Sequence, residues 1–291
     1  MYKLSFKKRV WVVKQRLKGE SPLKLALIQK ISESYVRRLI RIYKNYGFDG
    51  LKDHKTGRQK LVLNYNSEIL IIDLRMRFKW GAVRIEQYLK SKGFLISHRQ
   101  IEKVLNSHNL IIPNFRKQKP RRWVRFELPN PNDMLHTDWT HCPFTDKHLS
   151  VYIDDRTRLI TAYGLFKNAN ITNSIALLKT GIAEYGKPKA VMTDHGSTYF
   201  NNTPDSKGSL QFNTYQQTLN HLGIKHSLAP VNRPQTNGKV ERFFRTYKEE
   251  YITETFSCLK DFIKHYNEVR PHMSLHYKPP IEVWNSFKNR N

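Results

Sequence analysis

The periodicity of apolar residues changes near residue 130, and this change constrains the fold more than any other feature of the chain. Before it, apolar residues recur every three or four positions between helix caps. After it come runs of strand-forming residues, then strands alternating with helical stretches. No single layer of one element type accommodates both patterns. The expectation is a multidomain chain with an all-α N-terminal part and an α/β C-terminal part.

In the first stretch, Val10, Val13 and Leu17 recur at helical spacing and stop at Gly19, predicting one apolar stripe. Ser21 before Pro22 marks a helix start, with a side-chain acceptor at the cap and a ring that fits the first turn. Ser32 caps a further helix carrying Val36, Leu39, Ile40 and Tyr43, which ends at Gly47. Two short helices joined around Gln29 to Ser32 suggest a helix-turn-helix over residues 1–60, with Arg37, Arg38, Arg41 and Lys44 facing outward to DNA. No Gly sits in that turn, and any three-helix bundle would share the spacing.

Residues 61–112 predict a second helix-turn-helix unit. Ile69, Ile72 and Met76 form one stripe, and Ile85 and Leu89 another that stops at Gly93. Ser97 with Gln100 three places on reads as a capping box opening a helix with Ile101, Val104 and Leu105 inward. Residues 113–131 read as a basic linker tracking a phosphate backbone through Arg116, Lys117, Arg121 and Arg122, against the alternative of a solvated connector. The remainder, 132–291, is the α/β part.

The charge follows the same division. Residues 1–127 carry 31 Lys and Arg against 9 acids, 31 − 9 = +22 of the chain's formal +27. An excess concentrated in one half suits a polyanion such as double-stranded DNA better than general solubility does. A membrane partner is disfavoured because no apolar run approaches the ~20 residues of a spanning helix. Cys142 and Cys258 form no CxxC pair, so neither a disulfide framework nor a cysteine zinc site is expected, and a reducing cytoplasm is the default.

In the α/β part, MLHTDWTH reads as a strand with Asp138 near its end. HLSVYID and RLITAYGLF form a hairpin around Asp155 and Arg156, and KAVMTD is a strand ending in Asp194. Residues 171–186 read as a helix with Ile175, Leu178 and Ile182 on one face, and a helix opens after Gly238 with Glu241 in its first turn. This order suggests a mixed sheet with helices on its faces. Carboxylates brought together raise one another's pKa unless a cation neutralises them, and an all-oxygen set suits Mg²⁺ or Mn²⁺. Any one of these acids alone reads as a turn residue, a solvated acid or a helix-start residue. Asp133, Asp146, Asp154 and Asp155 take that plainer reading.

HTDWT, VMTDHGSTYF, RPQTNGKVERFFRTYKEE and HYNEVRPHMSLHYKPPIEVW occur in that order over roughly residues 130–285. Together they resemble the catalytic core of DDE transposases from bacterial and archaeal insertion sequences, itself similar to the retroviral integrase core. The resemblance implies an RNase H-like fold with a mixed five-stranded sheet and helices on both faces. It makes Asp138, Asp194 and Glu241 the catalytic acids, holding two Mg²⁺ or Mn²⁺ ions. It also places Gln235, Asn237, Lys239 and Arg242 at the loop and helix start that approach DNA. In HYNEVRPHMSL it makes Tyr266 and Leu275 structural, and leaves Arg270 and His272 open between DNA contact and structure.

The chain departs from the family pattern in three places. Asp194 and Glu241 lie 241 − 194 = 47 positions apart, longer than the commonest spacing, with NNTPDSKGSL reading as the extra loop. Tyr199 stands where many relatives place an acid, and Asn232-Arg233 where a His is frequent.

The implied activity is metal-dependent cleavage at transposon ends followed by strand transfer into target DNA, by a homo-oligomer acting at the nucleoid of a prokaryotic cell. The alternative is a sequence-specific DNA-binding protein whose RNase H-like core is inactive or purely nucleolytic. A tyrosine recombinase would need a His-x-x-Arg, which the sequence lacks.

Overall fold

The computed structural model describes residues 4–53, 63–111, 127–201, 211–230, 237–251 and 254–288. The chain divides into two compact units, Met1–Val62 and Leu63–Asn291.

The first unit holds α1 (Phe6–Leu17), α2 (Pro22–Gln29) and α3 (Glu33–Tyr46). Ser21 Oγ accepts from Lys24 N, and Ser32 Oγ accepts from Tyr35 N, so both expected caps form. The turn between α2 and α3 needs no Gly because Lys30 itself takes the left-handed conformation, with φ of 52°. Val12, Val13, Leu25, Ala26, Val36 and Leu39 make the core. The stripe on α1 is rotated from the expected one: Leu17 is 63% exposed, and Arg9, Val12 and Val13 face inward. Arg9 can occupy that face because its guanidinium donates to the carbonyl oxygens of Leu4 and Leu51, at 2.9 and 2.6 Å, and to Asp53.

The second unit opens with α4 (Tyr65–Phe78), α5 (Ala82–Ser91) and α6 (His98–Ser107). The capping box of Ser97 and Gln100 is present. Ile85, Leu89, Ile101, Val104 and Leu105 are buried as expected, but α4 buries Ile71, Leu74 and Phe78 and leaves Ile69 and Met76 about half exposed. Its inward face is set by aromatic partners distant in sequence. Phe78 stacks on His265 at 4.3 Å and on Trp80 at 4.8 Å.

A five-stranded sheet follows, built from β1 (Leu135–His141), β2 (His148–Asp154), β3 (Ile160–Phe166), β4 (Ala190–Thr193) and β5 (Lys225–Leu228). The order is β3-β2-β1-β4-β5, with β1, β2 and β3 antiparallel and β1, β4 and β5 parallel. Between and after the strands lie α7 (Ile171–Tyr185), α8 (Thr214–His221), α9 (Gly238–Glu250), α10 (Leu259–Glu268) and α11 (Pro280–Lys288). The alternation along β2 shows that helices cover both faces. Leu149, Val151 and Ile153 enter one cluster with Val240, Phe243 and Tyr247 of α9, and Tyr152 enters another with Leu177, Leu178 and Tyr215 of α7 and α8. This is the expected RNase H-like arrangement. The first cluster also contains the inward residues of α4, α5 and α6, so those helices and α9 share one apolar core.

Candidate active site

Parallel pairing of β1 with β4 brings the segments that carry the first two acids next to each other. His136 pairs with Met192, an offset of 192 − 136 = 56. The paired positions end there; Asp138 lies two residues further on, in the middle of β1 rather than near its end as expected, and Asp194 directly follows the last residue of β4. Both residues are partly exposed. Asp138 Oδ1 accepts from Trp139 N at 2.7 Å, and Asp194 Oδ1 accepts from Gly196 N at 3.0 Å. A Cβ on residue 196 would meet the Asp194 carboxylate oxygens at 3.0 and 3.3 Å, so Gly there lets the backbone close around the acid. The sequence signal for this role is the Gly two places after the acid, which the family motif alone leaves without a task.

Glu241 lies exposed in the first turn of α9, which packs on β1 and β2. Asp138 feels the other two acids. Burial raises the Asp138 carboxyl to about 7, and the charges of Asp194 and Glu241 push the same way, against the hydrogen bond from Trp139. Among the described residues no group of three or more His, Cys, Asp or Glu is arranged to clasp a metal ion. The fit is one of donor chemistry and charge: an all-carboxylate set in which burial, and after it the charges of Asp194 and Glu241, favours a proton on Asp138 suits a hard divalent cation. Asp138 and Asp194 come from neighbouring strands, and Glu241 comes from the first turn of α9.

The remaining expected site residues are placed as follows. Arg37, Arg38 and Arg41 lie on α3 and are all exposed, and Arg37 also pairs with Glu33 at 2.7 Å. Arg242 is exposed on α9, beside a cleft of 1090 Å³ whose walls include Arg84, Glu241 and Arg245. Arg116, Lys117, Arg121, Arg122 and Gln235 lie outside the described residues. Asn237 and Lys239 are turned inward: Asn237 is 5% exposed, and the Lys239 side chain is 16% exposed with its ammonium on Asp155.

Asp154 ends β2 and Asp155 opens the hairpin turn, and both are fully buried rather than solvated. Asp154 Oδ1 accepts from the backbone N and Oγ1 of Thr157, each at 2.7 Å, and Oδ2 accepts from Asn132 N at 2.9 Å. Burial still raises its pKa. Burial pushes Asp155 the same way, but hydrogen bonds from His136, Lys239 and Leu128 N outweigh it and hold the carboxyl well below the usual range.

Tyr266 and Leu275 are buried. Arg270 and His272 are buried too, at 5% and 7% exposure, and Arg270 is engaged by Glu250. Tyr199, in the place where many relatives carry an acid, is a core residue stacked edge-on to Tyr215 at 5.2 Å.

Known proteins resemble this chain in sequence. Residues 129–234 and 222–280 match integrase core domain models, and residues 8–60 match a helix-turn-helix domain. The chain belongs to the transposase and integrase family, with an integrase core behind a helix-turn-helix domain. It is similar to the ORF3 protein of Spiroplasma virus SpV1-C74, which carries the name putative integrase, at 33% identity over 49% of this chain and 43% of that protein. It is also similar to the Lactococcus lactis transposase for insertion sequence element IS904, at 26% identity over 72% of this chain and 89% of that one. The chain thus spans under half of the first relative and most of the second. A likeness of 19% identity and TM-score 0.41 extends to the HTLV-2 integrase catalytic core domain in complex with magnesium, over 53% of this chain and 97% of that one. The two domain types bind DNA, and an integrase core implies use of a divalent metal. Among the described residues no helix is long and apolar enough to cross a membrane.

Proposed function

We propose that the chain is a transposase that binds the ends of its own element and catalyses strand cleavage and strand transfer into target DNA. The observation that carries this reading is that the charges of Asp194, just after β4, and of Glu241, at the start of α9, both reach Asp138 on the neighbouring strand β1. Asp138, Asp194 and Glu241 would hold Mg²⁺ or Mn²⁺, two ions in the full complex, supplying Lewis acidity to the attacking and leaving oxygens of an in-line displacement at phosphorus. The chain's own groups do the rest. Gly196 N orients the Asp194 carboxylate, and Trp139 N orients that of Asp138. Arg242 and Arg245 give α9 a basic flank for the phosphate backbone, and Arg37, Arg38 and Arg41 reach the element's end from α3.

A homo-oligomer bridging two ends would perform the reaction at the nucleoid. The test is to incubate the purified chain with Mg²⁺ or Mn²⁺ and labelled duplexes taken from the DNA flanking its own coding sequence. Joined products are expected. Cleavage without joining would support a nucleolytic core, and binding alone would leave a DNA-binding protein.

A further inference from the structure

Two buried polar side chains and a half-buried lysine meet beneath the first turn of α9. Asp155, fully buried in the β2–β3 turn, accepts from His136 Nε2 at 2.7 Å and from Lys239 Nζ through the same oxygen, Oδ1. Its other oxygen accepts from Leu128 N at 2.7 Å, and its own N–H donates to Met134 O at 2.9 Å. The turn beneath is equally fixed, because Asp154 spends its carboxylate on Thr157 and Asn132. Asp155 is therefore an anchor with little freedom to move.

The two donors sit at matched places. His136 is two residues before Asp138 on β1, and in a strand that spacing puts both on one face. Lys239 is two residues before Glu241 in the first turn of α9. The cluster thus joins the strand of the first acid to the helix start of the third. Val240, Phe243 and Tyr247 seat α9 by apolar packing, which is non-directional and leaves the rotation of its first turn weakly specified. An ion pair onto a fixed carboxylate is directional. A buried pair of this kind is a poor source of net stability, since apolar residues of similar volume often do as well; what it fixes is geometry.

We propose that Asp155, with His136 and Lys239, is a positioning device that sets the rotation of the α9 start so that Glu241 faces Asp138 and Asp194. This role rests on the three-acid reading of the site. Lys239, read from its motif as a DNA contact, acts through Glu241 instead.

The test uses the full chain and four readouts: Mn²⁺ binding by electron paramagnetic resonance without DNA, affinity for the flanking duplex, melting temperature and strand transfer. Lys239→Met is expected to weaken Mn²⁺ binding and to cut strand transfer roughly 100-fold, the scale of an ångström-level misplacement, while duplex affinity stays within about twofold. Lys239→Arg, which keeps the tether, should recover most of the loss. Asp155→Leu combined with Lys239→Met, which also strips His136 Nε2 and Leu128 N of their acceptor, should lower the melting temperature further and restore neither Mn²⁺ binding nor strand transfer.

Two outcomes overturn the proposal directly. A double variant that regains everything makes the pair a stability element. A Lys239→Met variant that loses duplex affinity with Mn²⁺ binding intact makes Lys239 a DNA contact. Glu241→Gln is run alongside. If it leaves Mn²⁺ binding and strand transfer unchanged, the three-acid reading fails and takes the positioning role with it. If it abolishes both while the Lys239 variants match wild type, only the positioning role fails.

Discussion

Arg270 forks onto Glu250, with Nε and Nη2 each 2.6 Å from a different carboxylate oxygen. The pair ties the segment after α10 to the last turn of α9, and Arg84 of α5 adds a third member at 3.0 Å from the same carboxylate. All three elements border the cleft that also exposes Glu241. Removing Arg270 breaks its two-pronged contact and leaves the buried Glu250 with Arg84 alone, a loss of up to about 3–5 kcal/mol for a broken buried pair. Arg270→Ala is therefore expected to lower the melting temperature strongly, measured by calorimetry in chelator. A variant with unchanged melting temperature and impaired strand transfer would return Arg270 to the DNA face.

Stability should fall with acid in a window well above that of ordinary carboxylates. His265 is held down to about 4 chiefly by burial between Phe78 and Trp80, with Arg270 and Arg77 opposing a proton and Glu250 favouring one. Burial and the nearby Arg270 and Arg84 push His272 well below its ordinary value. A histidine depressed in the folded state binds more protons when unfolded, so its stabilising effect is complete above about 6.5 and drains away as pH falls. For His265 the loss between pH 6.5 and 4 is at most roughly 3 kcal/mol. Denaturant midpoints across that range check it. His265→Phe, which keeps the stack, should flatten the slope, and an unchanged slope would place the acid sensitivity elsewhere.

Much of this arrangement was legible in the sequence because it is written in local signals. Ser21, Ser32 and the Ser97–Gln100 pair announce their helices through caps, and the strand alternation fixes which residues of β2 face each layer. The acids at 138, 194 and 241 were recognisable from the motifs around them. What stayed hidden depends on partners far along the chain. The inward face of α4 is chosen by aromatic contacts with His265 of α10, and that of α1 by carbonyl groups that satisfy Arg9. The Lys239–Asp155 pair spans 84 positions, and no periodicity reveals that a lysine in a DNA-facing motif points into the protein.

Removing the arginines of α3 should weaken specific binding before it affects chemistry. Arg37→Ala, Arg38→Ala and Arg41→Ala together are expected to reduce affinity for the flanking duplex. For each phosphate that an arginine no longer neutralises, the salt slope should fall by about 0.9. The fragment for this comparison is Met1–Val62, a compact unit, because α4, α5 and α6 share their apolar cluster with α9 and α10. In the full chain, neutralising Arg116, Lys117, Arg121 and Arg122 should weaken binding to every sequence alike. Fluorescence anisotropy at several salt concentrations reads both effects, and equal affinity for flanking and scrambled duplexes would remove sequence reading from α3.

The acids themselves give the sharpest test. Asp138→Asn, Asp194→Asn and Glu241→Gln should each reduce cleavage and joining by several orders of magnitude, roughly 10³-fold or more, and pairs of them should add little, because the acids act as one unit. Asp154 and Asp155 are unsuitable controls, being buried and hydrogen-bonded; the exposed Asp146 is the right one, and Asp146→Asn should be silent. A second signature needs no substrate. The Asp138 carboxyl, raised to about 7 by burial and by its two acidic neighbours, prefers its proton in the folded state. Its ionised form therefore costs stability progressively as pH rises from the unfolded value near 4 through about 7. In chelator at pH 8, Asp138→Asn should melt above wild type; at pH 4 the difference should vanish. Adding Mg²⁺ should raise the melting temperature of wild type more than that of the variant and so close the gap at pH 8. A variant that melts below wild type at every pH would make Asp138 a structural residue.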